Sequence, residues 1–296
     1  MRNDKHSLSG FQPQHDFFIG VDSDGCVFNT MEIKQKECFF PNNIKFFQLQ
    51  PIAKYVLEAV EFVNLYSKWR GSNRFPALLK VLDLLAERKE VRERGIILPD
   101  LKPFREWVNS GTLLSNETLE EMVVKTGDPV LKRIFDWSIA VNQTIEELVH
   151  NIPPYPYVKK SLAKVSSQAD LICISQTPGE ALEREWAEHG IDKHVALIAG
   201  QELGTKKEHL QIAAVGKYQA NHILMVGDAL GDLEAAKENG ALFYPINPGH
   251  EVESWERFYE EAIGRFFNET YEGEFEAGLI QHFQALLPET PPWAHR

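Results

Sequence analysis

Five short apolar runs, each closed by turn-forming residues, are the first pattern along the chain. Apolar runs of this length predict buried strands, and helical periodicity separates the later runs. Strands that alternate with helices predict right-handed crossovers and a doubly wound, Rossmann-like parallel sheet, an α/β fold. The predicted strands are Phe17–Val21, Ala169–Ile174, Val195–Ala199, His222–Val226 and Ala241–Ile246. The predicted connecting helices are Glu180–His189, Lys207–Lys217 and Asp232–Asn239.

Between the first and second predicted strands the chain has almost no strand pattern. Its apolar residues recur with helical spacing, which predicts an all-helical domain inserted after the first strand. A proline-rich segment at 152–156 marks the return to the sheet. The predicted helices of the insertion are Ile52–Trp69, Ala77–Arg94, Asn116–Lys125 and Val130–Leu148.

The end of the chain predicts an aromatic-rich helical extension that packs on the sheet domain, with helices at Ser254–Phe267 and Phe275–Leu287. The chain then divides into four predicted parts. These are a flexible tail at 1–16, a sheet domain at 17–30 and 156–246, the helical insertion at 31–155 and the C-terminal extension at 247–296.

Composition and charge exclude several classes of partner. The 296 residues are 43% hydrophobic and carry a net charge of −12 without a long basic run, which argues against nucleic acid as a partner. No apolar run approaches the ~20 residues that a membrane helix needs, and the polar start of the chain lacks a signal core. Three scattered cysteines fit a reducing, cytoplasmic compartment rather than a disulfide framework. A monomer and a homodimer both remain open.

Two aspartates follow the first predicted strand directly. Asp22 and Asp24 are separated by one residue, and Gly25 comes next. Ligands and catalytic groups of open α/β sheets lie beyond the carboxyl ends of such strands, and paired carboxylates there favour a metal site or an acid/base pair. The motif by itself is also typical of an ordinary turn or a calcium-type loop.

The fourth predicted strand ends in the same way, with Asp228 after Gly227 and Asp232 four residues later. Neighbouring parallel strands would bring Asp22, Asp24, Asp228 and Asp232 around one point. Such oxygen ligands suit Mg²⁺, which binds few carboxylates together with water and a substrate phosphate.

The other two strand ends carry groups that bind an anion. Ser175, Gln176 and Thr177 follow the second run, and either hydroxyl can hold a phosphate oxygen beside a helix N-terminus. Lys206 and Lys207 follow the third run, and a lysine there supplies positive charge to a phosphate.

With these motifs the chain resembles the haloacid dehalogenase superfamily, in its branch of magnesium-dependent phosphatases with a helical cap. That family carries Asp-x-Asp-Gly, a Ser or Thr, a Lys, and Gly-Asp-x-x-x-Asp after successive strands. The matching residues here are Asp22-Ser23-Asp24-Gly25, Ser175, Lys206 or Lys207, and Gly227–Asp232. Lys206 is preferred because Leu210 then fits the family's helix register.

The resemblance implies a role for each residue. Asp22 would be the nucleophile that forms an aspartyl-phosphate, and Asp24 the general acid and base. Mg²⁺ would be held by Asp22, the backbone carbonyl of Asp24 and Asp228, with Asp232 acting through a water or by holding Lys206. The phosphate would be bound by the lysine, by turn amides such as that of Gly25, and by the side chains of Ser175 and Gln176.

Two departures from the family pattern stand out. Cys26 replaces the Thr or Val of many relatives, and we expect it to pack behind the loop. The helical block is longer than the usual cap. The second aspartate of the motif argues against dehalogenation, which has no leaving oxygen to protonate.

The turn at 68–76 of the predicted cap contains Arg70 and Arg74. In relatives with a helical cap such a turn contacts the leaving group of the substrate. Both arginines are therefore candidates for binding a second anionic group of the substrate. A solvated helix connection is the alternative interpretation.

These observations predict a phosphatase acting on a small, acidic, phosphorylated metabolite. A phosphomutase that uses the same aspartyl-phosphate is one alternative. A catalytically idle scaffold or metabolite-binding protein that kept the fold is the other.

Overall fold

The computed structural model describes residues 8–294 and contains a five-stranded parallel sheet in the order β3-β2-β1-β4-β5. The predicted α/β class and the inserted helical domain are confirmed. The strands lie within a residue or two of the predicted runs: β1 Phe17–Val21, β2 Ala169–Ile174, β3 Leu197–Ala199, β4 Ile223–Gly227 and β5 Leu242–Pro245.

The chain divides into two compact units. The sheet unit comprises the residues up to Met31 together with Asn151–Leu287, and the helical unit comprises Glu32–His150 together with the residues from Pro288 onward. The boundaries at 31/32 and 150/151 lie close to the predicted ones.

The strand register aligns the carboxyl ends of β1, β2 and β4. Val21 pairs with Cys173 of β2 on one side and with Val226 of β4 on the other. The residues that follow these strands therefore leave the same edge of the sheet side by side, which is where parallel sheets place their functional groups.

The two faces of the sheet bury separate apolar clusters because side chains alternate along each strand. Ile19 and Val21 face one cluster, which includes Trp186 and Trp255, whereas Phe18 faces the other. The sheet is flanked by the helices of its unit.

Gly20 shows how closely the second face is packed. A Cβ atom at this position would lie 2.7 Å from Cδ1 of Ile174 and 3.3 Å from Cδ2 of Leu210. The helix that carries Leu210 can approach the sheet because β1 has no side chain there.

The helical unit has its own apolar core, built on aromatic contacts. The ring of Phe75 lies 4.9 Å from that of Trp107, edge to face, and Trp137 donates its indole N–H to Asn43 at 2.8 Å. The helices that begin in this part of the chain are α1 Thr30–Ile33, α2 Phe40–Phe47, α3 Ala53–Asn64, α4 Arg74–Glu87, α5 Lys89–Glu93, α6 Lys102–Val108, α7 Asn116–Thr126 and α8 Pro129–Leu148.

The remaining helices belong to the sheet unit. They are α9 Val158–Val165, α10 Gly179–Glu188, α11 Lys206–Ala213, α12 Leu230–Glu238, α13 Glu251–Arg257, α14 Ile263–Phe267 and α15 Glu274–Ala285. Short π-helical segments at Lys34–Phe39 and Phe258–Ala262 join α1 to α2 and α13 to α14. Sequence periodicity missed α1, α2, α6 and α9, and it predicted α4 and α5 as a single helix.

The C-terminal extension differs from the prediction in its last residues. Its three helices pack on the sheet unit, where Tyr271 donates its hydroxyl to the carbonyl of Phe243 at 2.7 Å. The segment Pro288–Ala294 instead belongs to the helical unit, and the ring of Trp293 packs on Phe62 at 5.6 Å.

The predicted flexible tail also needs correction. Residues 1–7 lie outside the described residues, but Leu8 is fully buried and Phe11 packs against Phe18. The carboxylate of Asp170 accepts the backbone N–H groups of Gln14 and His15, which fixes this segment beside the sheet. Within residues 8–294 no helix combines the length and apolarity needed to cross a membrane.

Candidate active site

The turn after β1 is fixed by its own backbone. The amide of Asp22 donates to the carbonyl of Val226 at 2.9 Å, so sheet pairing extends to the first aspartate. The carbonyl of Ser23 then accepts the N–H groups of Val27 and Phe28 at 2.8 and 3.2 Å. Gly25 adopts φ 76°, a left-handed conformation that favours glycine.

The turn also rests on a buried aromatic side chain. The indole of Trp186, on α10, donates to Oγ of Ser23 at 3.0 Å, and both residues are fully buried. The residue between the two aspartates therefore points into the core, which leaves Asp22 and Asp24 on the opposite side of the turn.

Three of the predicted aspartates come together at the strand ends. Each of Asp22, Asp228 and Asp232 offers a carboxylate oxygen within 4.8 Å of the other two, and all three are buried. Three buried carboxylates repel one another strongly, so the cluster needs positive charge.

Lys206 supplies part of that charge. Its Nζ lies 2.8 Å from Oδ2 of Asp22 and 2.6 Å from Oδ1 of Asp232. Burial alone would lower the pKa of Lys206, but the surrounding aspartates outweigh it and raise the pKa above its ordinary value. Lys207 lies outside the cluster, where its Nζ pairs with Glu238 at 3.0 Å.

Asp232 serves as the anchor of the lysine. Its Oδ2 accepts the backbone N–H groups of Asp228 and Ala229 at 3.2 and 3.0 Å. Both of its oxygens are thus engaged by the protein, one by amides and one by Lys206. Burial raises the pKa of Asp232, while Lys206 and the amide of Ala229 act in the opposite direction.

Asp22 has a different environment from Asp232. Its Oδ2 meets Lys206, but its Oδ1 is buried and accepts no hydrogen bond from any of residues 8–294. A buried carboxylate oxygen without a partner costs free energy, and a cation would relieve that cost. This atom and the three-carboxylate cluster fit a small divalent metal bound by oxygen ligands.

Asp24 lies beside the cluster and is held by two hydroxyl groups. Thr30 donates to its Oδ1 through a short hydrogen bond, and Thr177 donates to its Oδ2 at 2.9 Å. No sequence pattern pointed to Thr30, because only the fold of the turn brings it back to Asp24.

The turn after β2 positions Ser175 and Gln176. Ser175 is buried, and its amide continues the sheet by donating to the carbonyl of Ala199 at 3.0 Å. Its Oγ accepts the N–H of Thr177 at 3.3 Å. Because the hydroxyl of Thr177 is engaged by Asp24, Ser175 offers the hydroxyl for an anion. Gln176 donates its amide group to the carbonyl of Gly204 at 2.9 Å, which links this turn to the one before Lys206.

The two predicted substrate-binding arginines lie in the helical unit and have partners within it. Arg70 is buried and donates to the carbonyl of Leu65 at 3.0 Å. Arg74 donates to Oδ1 of Asn142 at 2.6 Å and to Oγ of Ser138 at 3.1 Å. Burial lowers the pKa of Arg74 to about 10. Their binding of an anionic substrate group stays a prediction.

Cys26 and Cys173 are buried close to the carboxylates. Burial raises the pKa of both thiols, which disfavours the reactive thiolate. Cys26 directs its thiol to the carbonyl of Val226 at 3.8 Å, in keeping with a packing role.

Comparison with known proteins finds a family model that is similar to part of this chain. Residues 108–244 match the model of the haloacid dehalogenase-like hydrolases. That segment contains Ser175, Lys206 and the second pair of aspartates but not Asp22, which is therefore assigned from its motif and its contacts. No curated protein matches the chain.

Three solved structures illustrate the similarity. A predicted phosphoglycolate phosphatase from Haemophilus somnus is 17% identical, with 79% of this chain and 86% of that one covered and a TM-score of 0.47. A haloacid dehalogenase-like hydrolase from Xanthomonas campestris is 10% identical, with 88% and 96% covered and a TM-score of 0.47. A hydrolase of the same family from Streptococcus pneumoniae is 13% identical, with 81% and 90% covered and a TM-score of 0.43.

The resemblance seen in the sequence is thereby confirmed. The family-model match covers the three later motifs, and the strand order brings their residues to Asp22. These findings show that residues 108–244 are similar to the haloacid dehalogenase-like hydrolases.

Proposed function

We propose that the protein is a magnesium-dependent phosphatase that hydrolyses a small phosphorylated metabolite through an aspartyl-phosphate on Asp22. The observation that carries the proposal is the asymmetry of Asp22. One of its oxygens is held by Lys206, and the other is buried without a hydrogen-bond partner among residues 8–294.

The residues that would hold Mg²⁺ are Asp22, Asp228 and the backbone carbonyl of Asp24. When bound, the ion neutralises charge between the carboxylates and the phosphate and supports in-line displacement. Asp232 is assigned a different task, because both of its oxygens are already used by Lys206 and the backbone amides.

Asp22 is the nucleophile in this mechanism. Its contact with Lys206 fixes the orientation of the carboxylate, so that an oxygen can attack phosphorus as the ester oxygen departs. Lys206 and the hydroxyl of Ser175 then bind the equatorial oxygens, on which negative charge is distributed in the transition state. The lysine is positioned for this by Asp232.

Asp24 completes the cycle as the proton carrier. It protonates the departing ester oxygen, then takes a proton from the water that attacks the phosphorus of the aspartyl-phosphate. Inorganic phosphate leaves, and the carboxylate of Asp22 is restored.

A panel of phosphomonoesters tests the proposal. The purified protein should release phosphate from at least one ester with Mg²⁺ and from none with a chelator. Asp22→Asn should lower kcat by ~10³-fold or more, whereas Asp192→Asn, at an exposed position, should not change it. Acid-quenched protein should carry phosphate on the peptide that contains Asp22.

The alternatives give different results. Transfer of the phosphate to a second position of the substrate, observed by product analysis with a bisphosphate, would indicate a phosphomutase. Absence of turnover and of the phosphopeptide across the panel would overturn the proposal in favour of a binding protein.

A further inference from the structure

Asp24 is held through both of its carboxylate oxygens. Oδ1 accepts the hydroxyl of Thr30, and Oδ2 accepts the hydroxyl of Thr177. The two threonines come from different parts of the sheet unit, since Thr30 begins α1 and Thr177 lies in the turn after β2. Two donors on opposite oxygens fix both the direction and the plane of a carboxyl group.

Thr177 is itself rigidly placed. Its N–H donates to Oγ of Ser175 at 3.3 Å, and its carbonyl accepts the N–H of Gln201 at 3.1 Å. The backbone is therefore fixed on both sides of the residue. Its hydroxyl is a preorganised donor whose position does not depend on a mobile loop.

Thr30 approaches Asp24 from the other side. It is 1% exposed, so its hydroxyl is shielded from competition by water. The turn between Asp24 and Thr30 is closed by the backbone bonds to the Ser23 carbonyl. The turn that begins at Asp22 therefore also brings the hydroxyl of Thr30 to Asp24.

We propose that Thr30 and Thr177 are positioning residues that hold the carboxyl group of Asp24 for proton transfer to the leaving oxygen. The proposal rests on the phosphatase function proposed above. A carboxyl group that carries a proton on one oxygen keeps only the other oxygen as a full acceptor. With two threonines, one hydrogen bond always remains to orient the group while the other oxygen delivers or receives the proton.

If Thr30 and Thr177 position Asp24, the rate lost on removing their hydroxyls depends on the pKa of the leaving group. An alkoxide or phenolate of high pKa needs a proton as its bond to phosphorus breaks, whereas a dinitrophenolate departs without one. Loss of a merely structural hydroxyl would slow both reactions to the same extent. The ratio of the two rates therefore separates positioning of Asp24 from support of the fold.

The experiment compares phenyl phosphate with 2,4-dinitrophenyl phosphate as substrates. We expect Thr177→Val and Thr30→Val each to lower kcat/KM on phenyl phosphate about tenfold, and the double variant about a hundredfold or more. The loss on 2,4-dinitrophenyl phosphate should stay below about threefold. Asp24→Asn should show the same selective loss, and Thr177→Ser and Thr30→Ser should restore the rates.

Thr270→Val is the matched control. Thr270 lies in the same unit and donates its hydroxyl to the carbonyl of Arg265, away from the carboxylates. Its rates on both substrates should equal those of the unaltered protein.

Equal losses on the two substrates, or no loss in the double valine variant, would overturn the positioning role. A failure of the proposed function would be seen earlier and separately. In that case the unaltered protein would hydrolyse neither aryl phosphate, or Asp22→Asn would leave the hydrolysis unchanged.

Discussion

The ammonium group of Lys206 lies 2.8 Å from Oδ2 of Asp22, and this contact places the positive charge on one side of the carboxylate cluster. The same nitrogen lies 2.6 Å from Asp232, so a single cation links the proposed nucleophile to a carboxylate that is fixed by backbone amides. Asp22 is thereby held through one oxygen, whereas its Oδ1 is buried without a hydrogen-bond partner among residues 8–294.

Removal of this cation should slow hydrolysis strongly. We expect Lys206→Met to lower kcat by ~10²-fold or more, because the transition-state charge and the orientation of Asp22 both depend on it. Lys207→Met, which alters the next residue of the same helix but only an exposed pair with Glu238, should retain activity within a factor of about three. The measurement is steady-state hydrolysis of the best ester of the panel.

The same variant should lose stability because three buried carboxylates lose their counter-charge. A loss of ~3–5 kcal/mol in the free energy of unfolding is typical of a broken buried pair. Lys206→Met combined with Asp232→Asn should recover part of that loss in chemical unfolding. Asp232→Asn alone completes the cycle, and an equal cost of that substitution with and without Lys206 would show that the two residues are not coupled.

A glycine next to the cluster has a steric role that can be tested by one methyl group. A Cβ atom on Gly227 would lie 2.3 Å from Cγ of Asp232, whose side chain cannot move away without losing Lys206 and the backbone amides. We expect Gly227→Ala to lower kcat by ~10²-fold, since displacement of a catalytic array by about 1 Å has that effect.

Gly278→Ala provides the control for that substitution. Gly278 lies within α15, and a Cβ atom there would meet nothing within 4 Å. Helix propensity predicts a gain of ~1 kcal/mol and unchanged activity. If Gly227→Ala were as active as Gly278→Ala, Asp232 would not require the space that the glycine leaves.

The strand ends and the catalytic candidates could be predicted from the sequence because both are local signals. Each apolar run that precedes Asp22, Ser175 or Asp228 indicates a buried strand, and the polar residues that follow it indicate the functional loop. Strand and loop are therefore visible in consecutive residues. The register of Leu210 already favours Lys206 over Lys207 in the sequence, and in the structure Lys206 pairs with Asp22 whereas Lys207 pairs with Glu238. The hydroxyl of Thr30 was missed because its contact with Asp24 depends on how the turn folds back.

Packing between residues that are far apart in the chain is even harder to predict from the sequence. Trp293 lies more than two hundred residues from Phe62 in the chain, and no periodic pattern joins them. Leu8 is buried and Phe11 half-buried although both stand in a polar segment, so their packing could not be seen in its average composition. The N-terminal tail is predicted from polarity and the C-terminal extension from its aromatic residues, and neither signal shows the tertiary contacts of Leu8 or Trp293.

The C-terminal segment should stabilise the helical unit through Trp293. The guanidinium of Arg88 lies 4.6 Å from the ring of Trp293 and 4.4 Å from that of Tyr55, and it pairs with Glu58 at 2.5 Å. We expect Trp293→Ala to lower the free energy of unfolding of this unit by ~2 kcal/mol. Hydrogen exchange should accelerate in the peptides that contain Tyr55 and Arg88.

Two further variants define the origin of that effect. Trp293→Phe keeps an aromatic face for Arg88 and should preserve most of the protection. Glu289→Gln removes an exposed ion pair with Lys68 and should leave the stability nearly unchanged. Unchanged exchange in Trp293→Ala would show that the segment contributes nothing to the helical unit.

Asp170 should make the sheet unit sensitive to acid. Burial alone would raise the pKa of Asp170, but hydrogen bonds from the amide of Gln14, the phenol of Tyr218 and His15 outweigh it and lower the pKa below 3.8. A carboxyl group with a lowered pKa in the folded state contributes stability that is fully present above its unfolded pKa. That contribution is lost as the pH falls through the folded value.

The test is the difference in unfolding free energy between the unaltered protein and Asp170→Asn as a function of pH. Asparagine retains an oxygen that can accept the two amides but lacks the charge, so we expect a loss of ~1–2 kcal/mol at pH 7. The difference should shrink below pH 4, where the unaltered protein loses the same charge by protonation. Asp192→Asn, at an exposed position, should show no such trend. A difference that stays constant from pH 7 to pH 3 would mean that Asp170 acts through its shape and not through its ionised form.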